Sequence, residues 1–240
     1  RPQGERNYLT DVTNAAYLNY NGKIGIELRG SSSQDLPKKP YGFSTKLTDN
    51  TTNNNVSLLG MPSENDWILN SLAFDPSMIR DFLSYDLSRN MGNYAPRGVF
   101  VEVVVNDDYK GVYILMEKIK IDDNRVNIQK MTDADNDFPN VTGGYIVKAD
   151  KTTGGDPVAW SMESYNGYTD YLYDNPKPEV ITNAQGSYIQ SVFFSLDGLK
   201  SPINSSIIDG YPSIIDVPSF IDFIIIAELS SNADAYQLST

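Results

Sequence analysis

The stretch "GVFVEVVVNDDYKGVYILMEKI" constrains the fold more than any other. Val99, Val101, Val103 and Val105 alternate with their neighbours and run into Asn106-Asp107-Asp108. The apolar run Val112 to Met116 then returns. Period-two alternation interrupted by Asn and Asp is the pattern of a β-hairpin with a tight turn. Such a ribbon needs further strands or a helix against it to be stable, so a larger sheet is expected around it. "GKIGIELRG" supplies one candidate, with Ile24, Ile26 and Leu28 alternating before a break at Gly30. "YGFSTKL" supplies another, across the Ser- and Pro-rich loop "SSSQDLPKKP". "GGYIVKAD" reads as a further short strand.

Helical periodicity appears in three places. "DPSMIRDFLSYDLSRNMG" sets Ile79, Phe82, Leu83, Leu87 and Met91 on one face. Asp75 and Pro76 are its start signals and Gly92 its stop, which predicts a helix over 77–91. "TNAQGSYIQSVFFSLDGL" aligns Ile189, Val192, Phe193 and Leu196. "DVPSFIDFIIIAEL" begins at Asp216 and Pro218 and is almost wholly apolar, which predicts a helix buried on most sides. The segment near 150–180 is rich in Gly, Tyr, Asn and Pro and reads as a link. Strands with one helix first and helices last give an α+β chain: a β-rich lobe over 1–125 and a mainly helical one over 126–240.

Composition narrows the chemistry more than the partner. The chain of 240 residues has no Cys and no His. Disulfides, thiolate nucleophiles, His-based triads and His-ligated zinc are excluded. Acid–base work must fall to carboxylates, Lys or Tyr, and any metal must be a hard, oxygen-bound cation. A net charge of −12 and a pI near 4.4 argue against nucleic acid or an anionic membrane as partner. No apolar run is long enough to span a bilayer. The many Asn, Ser, Thr and Tyr suit a bacterial protein that is secreted or at the cell surface.

Single motifs leave alternatives open. "RGSSSQ" could cover a phosphate, or be an ordinary polar hairpin loop. Lys46 could pair a phosphate, or be a solvated strand lysine. Glu117-Lys118 ends a strand whose backbone could meet a purine edge, or merely flanks it with charge. Asp234, just beyond the apolar helix, could be a rigidly held base or a common post-helix Asx residue. "DADNDF" begins like a calcium loop, but Phe138 and Gly144 stand where an EF-hand needs Gly and Glu, so that reading is rejected. The order is more telling: strand, phosphate-like loop, strand with Lys, helix, hairpin ending in Met-Glu, then an apolar helix leading to an Asp. That is the layout of a protein kinase.

Long stretches carry a more specific resemblance: "GIELRGSSSQ" with "KKPYGFSTK", "LLGMPSENDWIL", "MIRDFLSYDLSRNMG" with "YAPR", "FVEVVVNDDYKGVYILMEKI", "NRVNI", "GGYIVKAD" and "ELSSNADAYQLST". From about residue 20 onward the chain resembles the spore-coat protein H (CotH) kinase family. The resemblance implies an atypical kinase-like fold, ATP with Mg²⁺ or Mn²⁺, and phosphorylation of Ser in secreted or coat proteins. It implies that Asp234 is the catalytic-loop acid and that Arg29 with Ser31, Ser32 and Ser33 covers the phosphates. It gives Lys46 the nucleotide contact and places Glu117 and Lys118 beside the adenine.

Against ordinary kinases, Asn232 replaces the His two residues before the acid and Ser239 the Asn five residues after it. No G-x-G-x-x-G is present, and the first helix offers only Asp81 and Asp86 to pair Lys46. Family members continue past "LST" into a Trp-Asp motif whose Asp binds the metal. No metal ligand is therefore assigned, and this stretch alone is expected to be impaired as a catalyst. The resemblance also admits a non-catalytic surface adhesion or scaffold module of the same fold. A carboxylate-pair glycosidase is a third option, for which no spacing speaks.

Overall fold

The structure is a computed structural model that describes residues 4–152, 155–164, 167–200 and 203–236. It is α+β, with two compact units: Arg1–Met78 with Pro96–Lys118, and Ile79–Ala95 with Ile119–Thr240.

The first unit is an antiparallel sheet of five strands in the order β1-β2-β3-β5-β4. The strands are β1 (Lys23–Leu28), β2 (Tyr41–Lys46), β3 (Asp66–Asn70), β4 (Gly98–Val105) and β5 (Asp108–Glu117). The β4–β5 hairpin turns on Asn106 and Asp107, with φ of 51° and 64°. Two positive φ values twist the turn in the sense that the strands need, and Asn and Asp tolerate them best. A bulge between Val103 and Val104 then re-aims the strand.

Alternation gives this sheet two different faces. On one, Trp67 and Leu115 pack against Leu58 and Met61 from the segment preceding β3. Trp67 is 1% exposed, and its indole N–H donates to Glu64 O at 3.1 Å. Thr45 is buried there too, donating its hydroxyl to Asn54 O at 2.6 Å. The other face carries exposed residues along β1 and leaves a cleft over β1–β3, with Ile68 buried.

In the second unit the segment read as a link is largely sheet. Strands β6 (Ile146–Ala149), β7 (Trp160–Ser164) and β8 (Gly167–Asn175) form an antiparallel sheet in the order β6-β8-β7. Aromatic packing holds it. Trp160 stacks on its cross-strand partner Tyr171 at 5.3 Å, and Phe193, from the helix that follows, meets Trp160 edge-on at 5.1 Å. Helix α2 (Asn183–Asp197) starts at a capping box in which Gln185 N–H donates to Thr182 Oγ1 and Thr182 N–H to Gln185 Oε1. The Gln185 amide also donates to Thr132 O, at 2.6 Å, and so anchors the "DADNDF" loop. Asp135 in that loop accepts from Thr132 N–H and Oγ–H, which holds its pKa below the ordinary value. This acid serves the turn.

Helix α1 (Arg80–Asn90) begins later than the sequence predicts. Asp75 caps a separate turn, accepting from Ser77 N–H and Oγ–H, and Met78 at φ 55° breaks the helical path. Its end is as expected. Gly92 at φ 93° donates to Arg89 O and Asn93 N–H donates to Ser88 O, a Schellman motif.

Helix α3 (Val217–Ser230) departs further from expectation. Only Ala227 is buried; Phe220, Ile221, Ile224, Ile225 and Leu229 are exposed. A helix that is apolar all round has no preferred stripe, and α1 covers one side, with Leu83 and Leu87 facing Ile226 and Leu229. Asp222 anchors the pair by accepting from the Asn93 amide at 2.7 Å.

Helix α3 closes with the same motif as α1, but on a serine. Ser231 lies at φ 53° and donates to Glu228 O, and Asn232 N–H donates to Ala227 O. A side chain in this conformation is strained by roughly 1–2 kcal/mol. Ser231→Gly is therefore expected to stabilise the second unit by about 1 kcal/mol. Urea denaturation followed by near-UV circular dichroism checks this; an unchanged or lowered midpoint contradicts it.

Candidate functional site

The open face of β1–β3 carries a cleft of about 330 Å³. Register explains its floor. Gly25 lies opposite Ser44 and Glu27 opposite Gly42, while β2 sets Ser44 opposite Asp66 and Gly42 opposite Ile68. Opposed residues share a face. Gly25 and Gly42 add no side chain, which leaves the floor low. A Cβ at Gly25 would meet only Lys46 Cε at 3.7 Å. Arg29, Lys46 and Lys118 stand around this floor with Glu27 and Asp66, and Ser44 Oγ donates to Asp66 Oδ1 at 2.6 Å. Three cations around one cleft are notable in a chain of net charge −12.

Of the residues expected around a nucleotide, Arg29, Lys46 and Lys118 line this cleft. Ser31, Ser32 and Ser33 lie in the short 3₁₀ turn between β1 and β2 and do not line it. The Lys46 ammonium donates to Asn53 Oδ1 at 2.6 Å and to Thr51 O at 3.3 Å. That loop is itself organised by Asp49, which accepts from Thr51 N–H, Thr52 N–H and Thr52 Oγ–H and whose pKa falls to about 2 as a result. Asp86 is used within α1, by Arg89 at 3.0 Å and the Asn90 amide at 3.2 Å.

Glu117 points the other way. It lies opposite Trp67 on the packed face, is 0% exposed, and accepts from Arg97 Nε at 3.0 Å, Nη2 at 2.8 Å and N–H at 2.9 Å. Its side chain braces the end of β5, and only its neighbour Lys118 reaches the cleft. Ser44, Asp66, Glu27 and the two glycines were not foreseen as cleft residues. The register of β1–β3 was the available signal.

Asp234 belongs to the second unit, in a loop that folds back onto α3. Tyr236 donates its hydroxyl to Glu228 Oε1 at 2.8 Å, its ring lies edge-on to Phe223 at 6.2 Å, and Ala235 is buried. Asp234 N–H donates to Asn232 Oδ1 at 3.2 Å, while the residue itself is exposed. Asn232, where ordinary kinases have His, thus shapes the loop with a neutral amide. Ser239 lies outside the described residues.

The family model described as "CotH kinase protein" matches residues 26–240. The chain belongs to the CotH kinase family. No curated protein matches it. The matched span takes in most of the cleft residues and Asp234. A nucleotide fits the donor set of the cleft, since cationic and hydroxyl groups suit phosphates. The divalent cation that a CotH kinase implies is a different matter. Among the described residues no group of three or more acidic side chains could hold a metal ion, so none is assigned to it.

Proposed function

We propose that this CotH-family chain binds ATP over the open face of β1–β3, and that Asp234 takes the proton of the acceptor hydroxyl in phosphoryl transfer. The acceptor class is a Ser side chain of a secreted or coat protein, at or outside the bacterial surface. The observation that carries this reading is the cleft: a low, glycine-floored surface flanked by Arg29, Lys46 and Lys118 in a strongly acidic chain. The cations hold the phosphates, and the bare floor admits a planar group. The acceptor oxygen attacks the γ-phosphorus, the bond to the β-phosphate oxygen breaks, and ADP leaves as the acceptor proton passes to the Asp234 carboxylate. Positioning and charge complementarity provide most of such a rate enhancement. Mg²⁺ or Mn²⁺, as the family implies, supplies further neutralisation of the phosphates when bound.

Calorimetric titration with ATP and incubation with labelled ATP, Mg²⁺ or Mn²⁺ and a Ser-rich acceptor test this together. Saturable ATP binding and label on Ser are expected. A folded protein that neither binds ATP nor transfers label, yet captures glycans or surface proteins, would instead be a non-catalytic adhesion or scaffold module.

A further inference from the structure

We infer that Lys23 and Lys46 together form a second anion subsite, which holds the distal phosphates of the nucleotide and makes Lys23 a phosphate-contacting residue. The inference rests on the nucleotide reading of the cleft, and it starts from the register of the first hairpin. Lys23 lies directly opposite Lys46. Opposed residues on neighbouring antiparallel strands have their Cβ atoms about 4.5–5.5 Å apart, and like charges in that relation destabilise a sheet. Such a pair persists at little loss where an anion lies between the two heads.

Neither head is neutralised by a carboxylate of the described residues. Lys46 donates only to the neutral oxygens of Thr51 and Asn53, and no carboxylate among the described residues meets Lys23 or Lys46 at ion-pair distance. An edge position alone accounts for one exposed lysine, since lysines on edge strands block unwanted pairing. It does not account for a second lysine on the interior strand β2, nor for the hollow around both.

That hollow, of about 450 Å³, is lined by Tyr20, Lys23, Lys46, Thr48 and Asn54, and shares Lys46 with the cleft. A single cationic track therefore runs from Arg29 and Lys118 past Lys46 to Lys23. The backbone beneath the pair is clasped. Tyr20 donates its hydroxyl to Lys23 O at 2.8 Å and lies 3.4 Å from Lys46 O. The ring crosses Gly22 so closely that a Cβ there would sit 2.4 Å from the hydroxyl oxygen. A phenol bridging both lysine carbonyls fixes where the two ammonium groups start, which is what a phosphate subsite requires. A chain of linked phosphates is the ligand class that matches two adjacent compact cations.

Calorimetry with tripolyphosphate, adenosine and ATP on the wild type, Lys23→Gln and Lys23→Arg tests this, with circular dichroism melts confirming the fold. Lys23→Gln is expected to weaken tripolyphosphate and ATP about tenfold, the size of one charge-assisted hydrogen bond, and to leave adenosine unchanged. Lys23→Arg is expected to restore most of the loss, and added salt to weaken the wild type. Equal tripolyphosphate affinity in the wild type and Lys23→Gln, or no tripolyphosphate binding at all, overturns the subsite. Lys23-dependent tripolyphosphate binding without ATP or adenosine binding keeps the anion subsite and rejects the nucleotide reading of the cleft.

Discussion

Arg97→Ala is expected to destabilise the first unit by about 3–5 kcal/mol, the loss that follows when a buried ion pair is broken from one side. The guanidinium and backbone N–H of Arg97 together donate three hydrogen bonds to a carboxylate that is wholly buried. Truncation removes both side-chain donors that Arg97 gives to the buried Glu117 carboxylate, which lies across from Trp67. Charge and desolvation then act in the same direction. The double variant Arg97→Met with Glu117→Leu is expected to recover much of the loss, because the buried carboxylate is removed together with its guanidinium. Urea titration followed by Trp67 fluorescence in a Trp160→Phe background reads both. A loss below about 1 kcal/mol for Arg97→Ala would mean that water reaches Glu117 and that the pair behaves as a surface one.

Asp234→Asn is expected to lower phosphoryl transfer by about 10²–10⁴-fold, the range that general-base catalysis supplies. Its melting temperature is expected to stay where it is. The residue is exposed, and the hydrogen bond that shapes its loop comes from its backbone N–H to Asn232, which the substitution keeps. ATP affinity should also be unchanged, since the Asp acts on the acceptor. Single-turnover label transfer measured beside calorimetric ATP binding separates these effects. An undiminished rate removes Asp234 from the chemistry.

Much of the fold was legible from local signals. The β1–β2 and β4–β5 hairpins follow from alternating residues broken by turn formers, and α2 from its spacing of Ile189, Val192, Phe193 and Leu196. What escaped depended on contacts distant in sequence. β7 and β8 are written in Trp and Tyr among Gly and Asn, and become strands because Trp160, Tyr171 and Phe193 stack together. Asp75 and Pro76 suit a turn as well as a helix cap, which is why α1 starts later than its sequence predicts. Composition shows what a helix would bury, not how many neighbours it meets, so α3 is more exposed than its sequence predicts. In the candidate site, motif order and the family resemblance point to Asp234 and to Arg29, Ser31, Ser32, Ser33, Lys46, Glu117 and Lys118, of which Arg29, Lys46 and Lys118 line the cleft. Register alone distinguishes Lys118, at the cleft, from Glu117, under the opposite face.

The two tryptophans fall one to each unit, Trp67 beneath the five-stranded sheet and Trp160 within the aromatic stack of the three-stranded one, and both are buried. The protein thus carries a separate intrinsic fluorophore in each half. Replacing either with Phe would leave one tryptophan, excited selectively beyond the tyrosine absorption, so the melting of the cleft-bearing unit and that of the Asp234-bearing unit can be followed singly, without attaching a dye.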